Sequence, residues 1–417
     1  MAENAKTVLD EELFPIVGWA GLEGEMLRPD TMRDMAEAGF TVNHGGDDSR
    51  DPVEVLDIAH ESGVRMLYRN EIFHVVDDFK LTARKKREIE KLVAKIKDHP
   101  GLYMYYLRDE PKVHALEIIG KVARFIKELD PYHLCYVNQV APSWTQGVPT
   151  IEEFYKRLFE VMDVEFLSYD RYSIRVADQA TLDAHPNDPW YFPRHKLYVR
   201  PDFYQLLDFC RRMAMARGVP FWAFTNAVRH GYHPTPTEGH MRFQLMADLA
   251  YGASGLQYFT YAHDCAMVRL DGTTTETWKI ARRINRDVHA WAPVLRKLRS
   301  IGVVHTGPLW PGTQFPPDMP EHMIPESDLI TAEGDPVVIG RFLGPDDQEY
   351  LILVSKNPCE WSVVHLRQAK PKPVFEFDVN TGTFRRPYPD LRDRQPLTLA
   401  PGEGRLLRLG GEGKQVF

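Results

Sequence analysis

The sequence predicts an α/β chain: a (β/α)8 barrel over residues 1–300, then a small β-sandwich over residues 301–417. Three observations carry that reading. Eight short strand-like runs alternate with eight helical stretches; the pairs fit within about 300 residues, the usual size of such a barrel; and after Leu298 the texture changes to hairpin punctuation.

The strand-like runs are Phe14–Trp19, Phe40–Asn43, Val64–Arg69, Leu102–Leu107, His133–Asn138, Val164–Tyr169, Val219–Phe224 and Gly255–Thr260. Each is short, apolar or β-branched, as a strand buried on both faces must be. Between them lie Pro29–Ala38, Pro52–Ser62, Thr82–Lys97, His114–Leu129, Ile151–Met162, Pro201–Arg217, Pro236–Tyr251 and Glu276–Leu298, which have helical spacing and helix-start residues. Helical crossovers make each strand parallel to the next. A doubly wound sheet would carry a glycine-rich phosphate loop after its first strand, but GWAGLEGEMLRPD lacks the GxGxxG spacing. YGASG, Tyr251–Gly255, joins a helix to a strand and reads as a helix C-cap. Beyond Leu298, the proline-rich connector TGPLWPGTQFPPDMP precedes the strand pairs VVIGRFLGPDDQEYLILVS, VFEFDVNTGTF and PLTLAPGEGRLLRL. These suit a sandwich that buttresses the barrel or, with Trp310 and Trp361 as stacking faces, one that contacts carbohydrate.

Composition narrows the function. The 51 basic and 59 acidic residues give a net charge of −8 without a basic stripe, so nucleic acid is not an expected partner. No apolar run is long enough to span a bilayer, and MAENAKTVLDEEL does not read as a leader, so no membrane partner is expected and localisation stays open. Cys135, Cys210, Cys265 and Cys359 are widely spaced and read as buried thiols. No HxH pair, GxSxG elbow or cysteine cluster is present, so neither metal nor cofactor is expected; oligomeric state is left open.

The stretch GLYMYYLRDEPKV ends a buried run on Arg108, Asp109, Glu110 and Pro111. If Leu102–Leu107 is the fourth strand, these carboxylates stand at its C-terminal end, where barrel enzymes assemble their sites. Pro111 biases Glu110 away from helix and stiffens the chain there. Simple helix-start acids would look the same. The other strand ends supply Asn43 and His44, Arg69 and Asn70, Asn138 and Gln139, Asp170 and Arg171, and Tyr261, His263 and Asp264. Trp19, Trp144, Tyr172, Trp222 and Tyr261 lie among them. Flat faces and many hydrogen-bonding groups suit a carbohydrate. Trp19 and Trp222 could equally be core, His44 a satisfied loop residue and Asp170 an ion-pair partner of Arg69 or Arg171.

HPGLYMYYLRDEP, DPYHLCYVNQ, EFLSYDRYS, GVPFWAFTNA and LAYGASGLQYFTY together resemble the barrel of clan A glycoside hydrolases, particularly relatives of family 42-type β-galactosidases. The resemblance spans roughly residues 14–300. It implies a glycosidase in which Glu110 is the general acid, with Asp109 standing where the clan usually has asparagine. The clan's nucleophile is a glutamate ending the seventh strand, yet VPFWAFTNAVRHGYH has no acid and Asn226 stands in that region. Asp170 is the expected substitute, with Asp264, Glu71 and Asp109 behind it. Arginines near Asp170 would keep it ionised while burial keeps Glu110 protonated. The competing reading is a non-catalytic carbohydrate-binding barrel derived from a glycosidase.

Overall fold

The computed structural model describes residues 6–139, 150–186, 188–307, 330–368, 372–388 and 396–410. Trp144 and Trp310 lie outside the described residues.

In chain order the strands are β1 Ile16–Trp19, β2 Val42–Gly45, β3 Arg65–Tyr68, β4 Leu102–Asp109, β5 Leu134–Asn138, β6 Leu167–Tyr169, β7 Ile174–Val176, β8 Tyr191–Phe192, β9 Leu197–Val199, β10 Phe221–Asn226 and β11 Gly255–Phe259. Eight of them form one sheet in the order β5-β4-β3-β2-β1-β11-β10-β6. Neighbours along that sheet pair in parallel. A parallel bridge from Gln139 to Tyr169 joins its two ends, which closes the predicted barrel. The helices are α1 Pro29–Glu37, α2 Pro52–Glu61, α3 Ala83–Ile96, α4 Leu116–Leu129, α5 Ile151–Val161, α6 Gln179–Ala184, α7 Phe203–Arg217, α8 Glu238–Ala250 and α9 Glu276–Leu295. Their starts follow local chemistry: Asp51 accepts from Val53 N–H ahead of Pro52, and Thr82, Thr150 and Thr237 accept from backbone N–H groups of their first turns.

The barrel floor is aromatic. Trp222 lies 4.8 Å from Phe166 and 6.2 Å from both Tyr103 and Tyr136, centroid to centroid. The indole also stands where a Cβ on Gly255 would be, so only glycine fits at the start of β11. Rings of this size each bury roughly 150–250 Å², on the order of 4–6 kcal/mol of apolar transfer per ring.

Residues 172–200, which the sequence pattern leaves blank, hold a small antiparallel sheet, β7-β9-β8, and α6. Its strands of two or three residues, interrupted by Pro189 and Pro193, are too short to show a period.

The C-terminal strands are β12 Arg299–His305, β13 Ile330–Gly334, β14 Val337–Leu343, β15 Glu349–Ser355, β16 Ser362–Gln368, β17 Val374–Asp378, β18 Thr383–Tyr388, β19 Pro396–Leu399 and β20 Gly404–Leu409. They form antiparallel sheets ordered β12-β14-β15-β20-β17-β18 and β13-β16-β19. Val337, Ile339, Leu351, Leu353 and Leu407 from one sheet share a core with Val364, Leu366, Leu397 and Leu399 from the other. The helix α8 packs on β14 and β20, where Gly340 leaves room for the Ala250 carbonyl and Gly404 for Met246.

The chain divides into two compact units, and neither is continuous in sequence. One comprises Met1–Arg171, Met213–Phe224 and Gly255–Arg282; the other comprises Tyr172–Arg212, Thr225–Ser254 and Arg283–Phe417. The expected boundary at residue 300 falls inside β12, which pairs with β14.

Candidate functional site

The fourth barrel strand does not end regularly. Tyr106 pairs with Tyr136, but Arg108 pairs with Val137, so Leu107 is an extra residue in β4. Such a bulge re-aims the side chains that follow it. Arg108 turns to the loop after β3, donating to the Val75 carbonyl at 3.0 Å and the Asp77 carboxylate at 2.7 Å. Glu110 then adopts φ +41°, a left-handed conformation uncommon for a side chain of this size. Non-glycine residues are held there at a cost of about 1–2 kcal/mol, which the surroundings must offset.

The result is a carboxyl cluster organised by one amide. Asn138 Nδ2 donates to Asp109 Oδ1 at 3.0 Å and to Asp170 Oδ2 at 3.2 Å. Its Oδ1 accepts from Ser168 Oγ at 2.9 Å, which fixes which way the amide faces. Behind Ser168, Tyr136 and Gln257 continue the network: Gln257 Nε2 donates to Ser168 Oγ at 2.9 Å, and Tyr136 Oη lies 2.5 Å from Gln257 Oε1. Glu110 and Asp170 act on each other: each carboxyl alters the protonation of the other.

Neighbouring buried carboxyls disfavour each other's ionised forms, so their titrations are linked. Burial pushes Asp170 well above the usual carboxylate range, followed by the charges of Glu110 and Asp109. Glu110 is raised by burial and then by Asp109, and is pulled back by the hydrogen bond from Asp170. Both carboxyls are thus biased toward their neutral forms. Two of the arginines expected beside Asp170 are engaged elsewhere: Arg69 pairs with Glu23 and Arg108 with Asp77. Asp109 is also raised, by burial of its carboxyl first, with Asn138 and Arg108 opposing. Its residue is exposed at the rim, so water screens part of that effect.

On the neighbouring strand ends, His44 stacks on Trp19 at 3.9 Å and lies 4.5 Å from Tyr106. His44 Nδ1 accepts from the Ala20 N–H at 3.3 Å, so its proton is on Nε2, a buried donor with no protein partner. Burial, then the charge of Arg69, lowers His44 to about 3 and keeps the ring neutral.

The expected residues therefore separate. Glu110, Asp170, Asp109 and Asn138 form one network, with His44 and Arg69 on adjacent strand ends. Asn43 does not face a ligand: its Oδ1 and Nδ2 are both bonded to the Leu22 backbone, pinning the loop after β1. Trp222 is floor. Tyr261 packs edge-on against Phe40 at 5.0 Å and against the Cα of Gly18, in the core rather than at a rim. Tyr172 stands in the second unit with His233 at 5.5 Å and His230 at 6.1 Å. Asn226 ends β10, with its Nδ2 donating to the Val228 carbonyl and its Oδ1 buried without a partner. Asp264 lies exposed in the loop after β11. Tyr106, Tyr136, Ser168 and Gln257 were not anticipated. A period-two reading of β5 and β6 would mark Tyr136 and Ser168, but continuous apolar runs hide which residues face inward. Among the described residues no three His, Cys, Asp or Glu side chains are arranged to hold a metal ion, and no helix is long and apolar enough to cross a membrane.

No protein-family model matches the chain and no curated protein matches it. Solved structures do. One described as a glycoside hydrolase is similar at a TM-score of 0.55 and 12% identity, over 98% of this chain and 97% of its own. A glycoside hydrolase family 5 structure from Bacteroides vulgatus is similar at a TM-score of 0.55 and 11% identity, over 98% of this chain and 93% of its own. At that identity the likeness is one of fold.

Proposed function

We propose that the chain is a glycoside hydrolase whose general acid is Glu110 and whose second carboxylate is Asp170. The observation that carries this reading is the cluster of Asp109, Asn138 and Asp170 at the C-terminal ends of neighbouring barrel strands, with Glu110 next to it and the Glu110 and Asp170 carboxyls both raised. Glycoside cleavage needs one protonated and one ionised carboxyl at the same pH. A likeness of fold to glycoside hydrolases supports it, and kinship with family 42-type β-galactosidases is the finer part of the same proposal.

Direct attack needs carboxyls about 5–5.5 Å apart, and an intervening water about 6.5–9.5 Å. Asp170 accepts from the Asn138 N–H, which favours its ionised form, whereas burial and the charge of Asp109 favour the protonated form of Glu110. Glu110 then protonates the glycosidic oxygen, which leaves with the C–O bonding electrons, while Asp170 attacks the anomeric carbon or takes a proton from the incoming water. His44 Nε2–H offers a fixed donor to a sugar oxygen.

The test is hydrolysis of a panel of aryl glycosides and oligosaccharides. Glu110→Gln should lose about a hundred- to ten-thousand-fold in kcat on unactivated substrates and much less on aryl glycosides with good leaving groups, while Asp170→Asn should be impaired on both. Full activity in Asp170→Asn would remove it from the mechanism. A second reading, a barrel that binds carbohydrate without cleaving it, is favoured by the amide, Asn226, that ends β10. Saccharide binding with no turnover across the panel would select it.

A further inference from the structure

The second compact unit contains a cavity of about 360 Å³ walled by α8, α9 and the β17–β20 end of the larger sheet. We propose that it is a binding site for a neutral saccharide, separate from the barrel mouth and independent of the reading given to Glu110.

Two independent observations point to a ligand. The first is Trp291, on α9. Its residue is 4% exposed, it forms part of the cavity wall, and its indole Nε1–H has no hydrogen-bond partner. The N–H itself is buried behind the wall; a donor of this kind costs about 1–3 kcal/mol when left unmade, so an acceptor gains from meeting it where the wall gives locally. The second is the charge pattern of the walls. Arg242 pairs with Asp287 at 3.1 Å, Arg405 with Glu376 at 2.5 Å and Arg385 with Asp378 at 2.8 Å.

Each guanidinium on the wall is thus already neutralised by a carboxylate. The wall also carries Glu403, a fourth carboxylate, beside Arg405 at 3.0 Å, so an anionic ligand would have to break a pair and strand a charge. Hydroxyl groups do not: each donates to a carboxylate lone pair and accepts from a guanidinium N–H, so a polyol matches walls of alternating acceptors and donors. Trp291 and Phe377 supply apolar ring surface for the C–H faces of a sugar, and the volume is at the lower end of the roughly 300–1,000 Å³ typical of small-molecule sites. A bare cation is a poor alternative, because among the described residues no three ligating side chains converge.

The experiment is a titration of the ¹⁵N-labelled full chain, following the indole N–H resonance that disappears in Trp291→Phe. The probes are glucose, galactose, cellobiose and lactose, with glucuronate, inorganic phosphate and spermidine as charged comparisons. At least one neutral saccharide should shift this resonance saturably. Asn380→Ala, at an exposed position on the cavity wall, and Glu376→Gln should weaken that response by about two- to ten-fold, the size of one hydrogen bond. Glu110→Gln should leave it unchanged. If Trp291→Phe does not fold, selective labelling of tryptophan with assignment of the wild-type signals gives the same readout. A resonance unmoved by all four neutral sugars, one moved equally by phosphate or spermidine, or a response lost in Glu110→Gln would each overturn the proposal.

Discussion

Replacing Asn138 by aspartate exchanges one NH2 for one oxygen at nearly constant volume, in a residue that is 1% exposed. It would remove the donor to Asp109 Oδ1 at 3.0 Å and to Asp170 Oδ2 at 3.2 Å while sparing the Ser168 hydroxyl its acceptor. A hydrogen bond to a charged group contributes about 1.5–3 kcal/mol and one to a neutral group about 0.5–1.5 kcal/mol, so the loss at pH 7 should be about 2–4 kcal/mol. The pH dependence follows from the same geometry. Burial and two adjacent carboxyls would raise the introduced carboxyl above its unfolded value of about 3.9. Above that value the folded state binds more protons than the unfolded one, so the variant's stability falls relative to wild type as pH rises. Below about pH 4 both states are protonated, the introduced group can donate one O–H, and the gap narrows. Urea unfolding followed by near-UV circular dichroism, at intervals from pH 4 to 8, measures the difference. A deficit below about 1 kcal/mol, or one that does not change with pH, would refute the view that this amide holds the cluster together.

Asp170→Asn should raise stability at neutral pH while lowering activity, because an amide replaces the protonated carboxyl without the proton that burial forces the folded state to hold; a gain of about 0.5–2 kcal/mol in thermal unfolding is expected, vanishing toward pH 4, and a loss would count against the pair. Lys356 is buried, donates to the Thr306 carbonyl at 2.9 Å and lies over the rings of Trp190 and Tyr204, and burial pulls it down to about 7. Between about pH 7 and about 10.4 the unfolded chain binds the extra proton, so stability should rise with pH across that window by up to about 4–5 kcal/mol; Lys356→Met should flatten the curve, and an unchanged slope would mean the ammonium is paired.

The barrel was legible because a parallel strand covered on both faces has to be a continuous apolar run, and eight such runs separated by capped helices leave few other arrangements. The same property made the site harder to read. In an unbroken apolar run nothing marks which residues face inward, so Tyr261 was expected at a rim although it packs against Phe40, and Tyr136 and Ser168 were passed over. Asn43 illustrates a different limit: a polar residue at a strand end looks available until a chain segment twenty-one residues earlier, at Leu22, takes both ends of its amide. Residues 172–200 were missed because strands of two and three residues are held by their partners rather than by their own pattern.

What no sequence pattern contains is the irregular end of β4 that carries Asp109 and Glu110. Side chains alternate across a strand, so a regular β4 would send Arg108 and Glu110 to one side and Asp109 to the other. The extra residue at Leu107 breaks that alternation, Arg108 turns to Val75 and Asp77 in the loop after β3, and Glu110 takes a positive φ. Of these departures, the left-handed conformation is unfavourable locally, and burial raises the carboxyls of Asp109, Glu110 and Asp170 together. A structural acid at a helix start needs none of them, since an exposed aspartate or glutamate near the first turn already interacts favourably with the helix dipole. A bulge and a left-handed glutamate at one strand end are therefore not explained by capping of the short helical turn that follows Pro111.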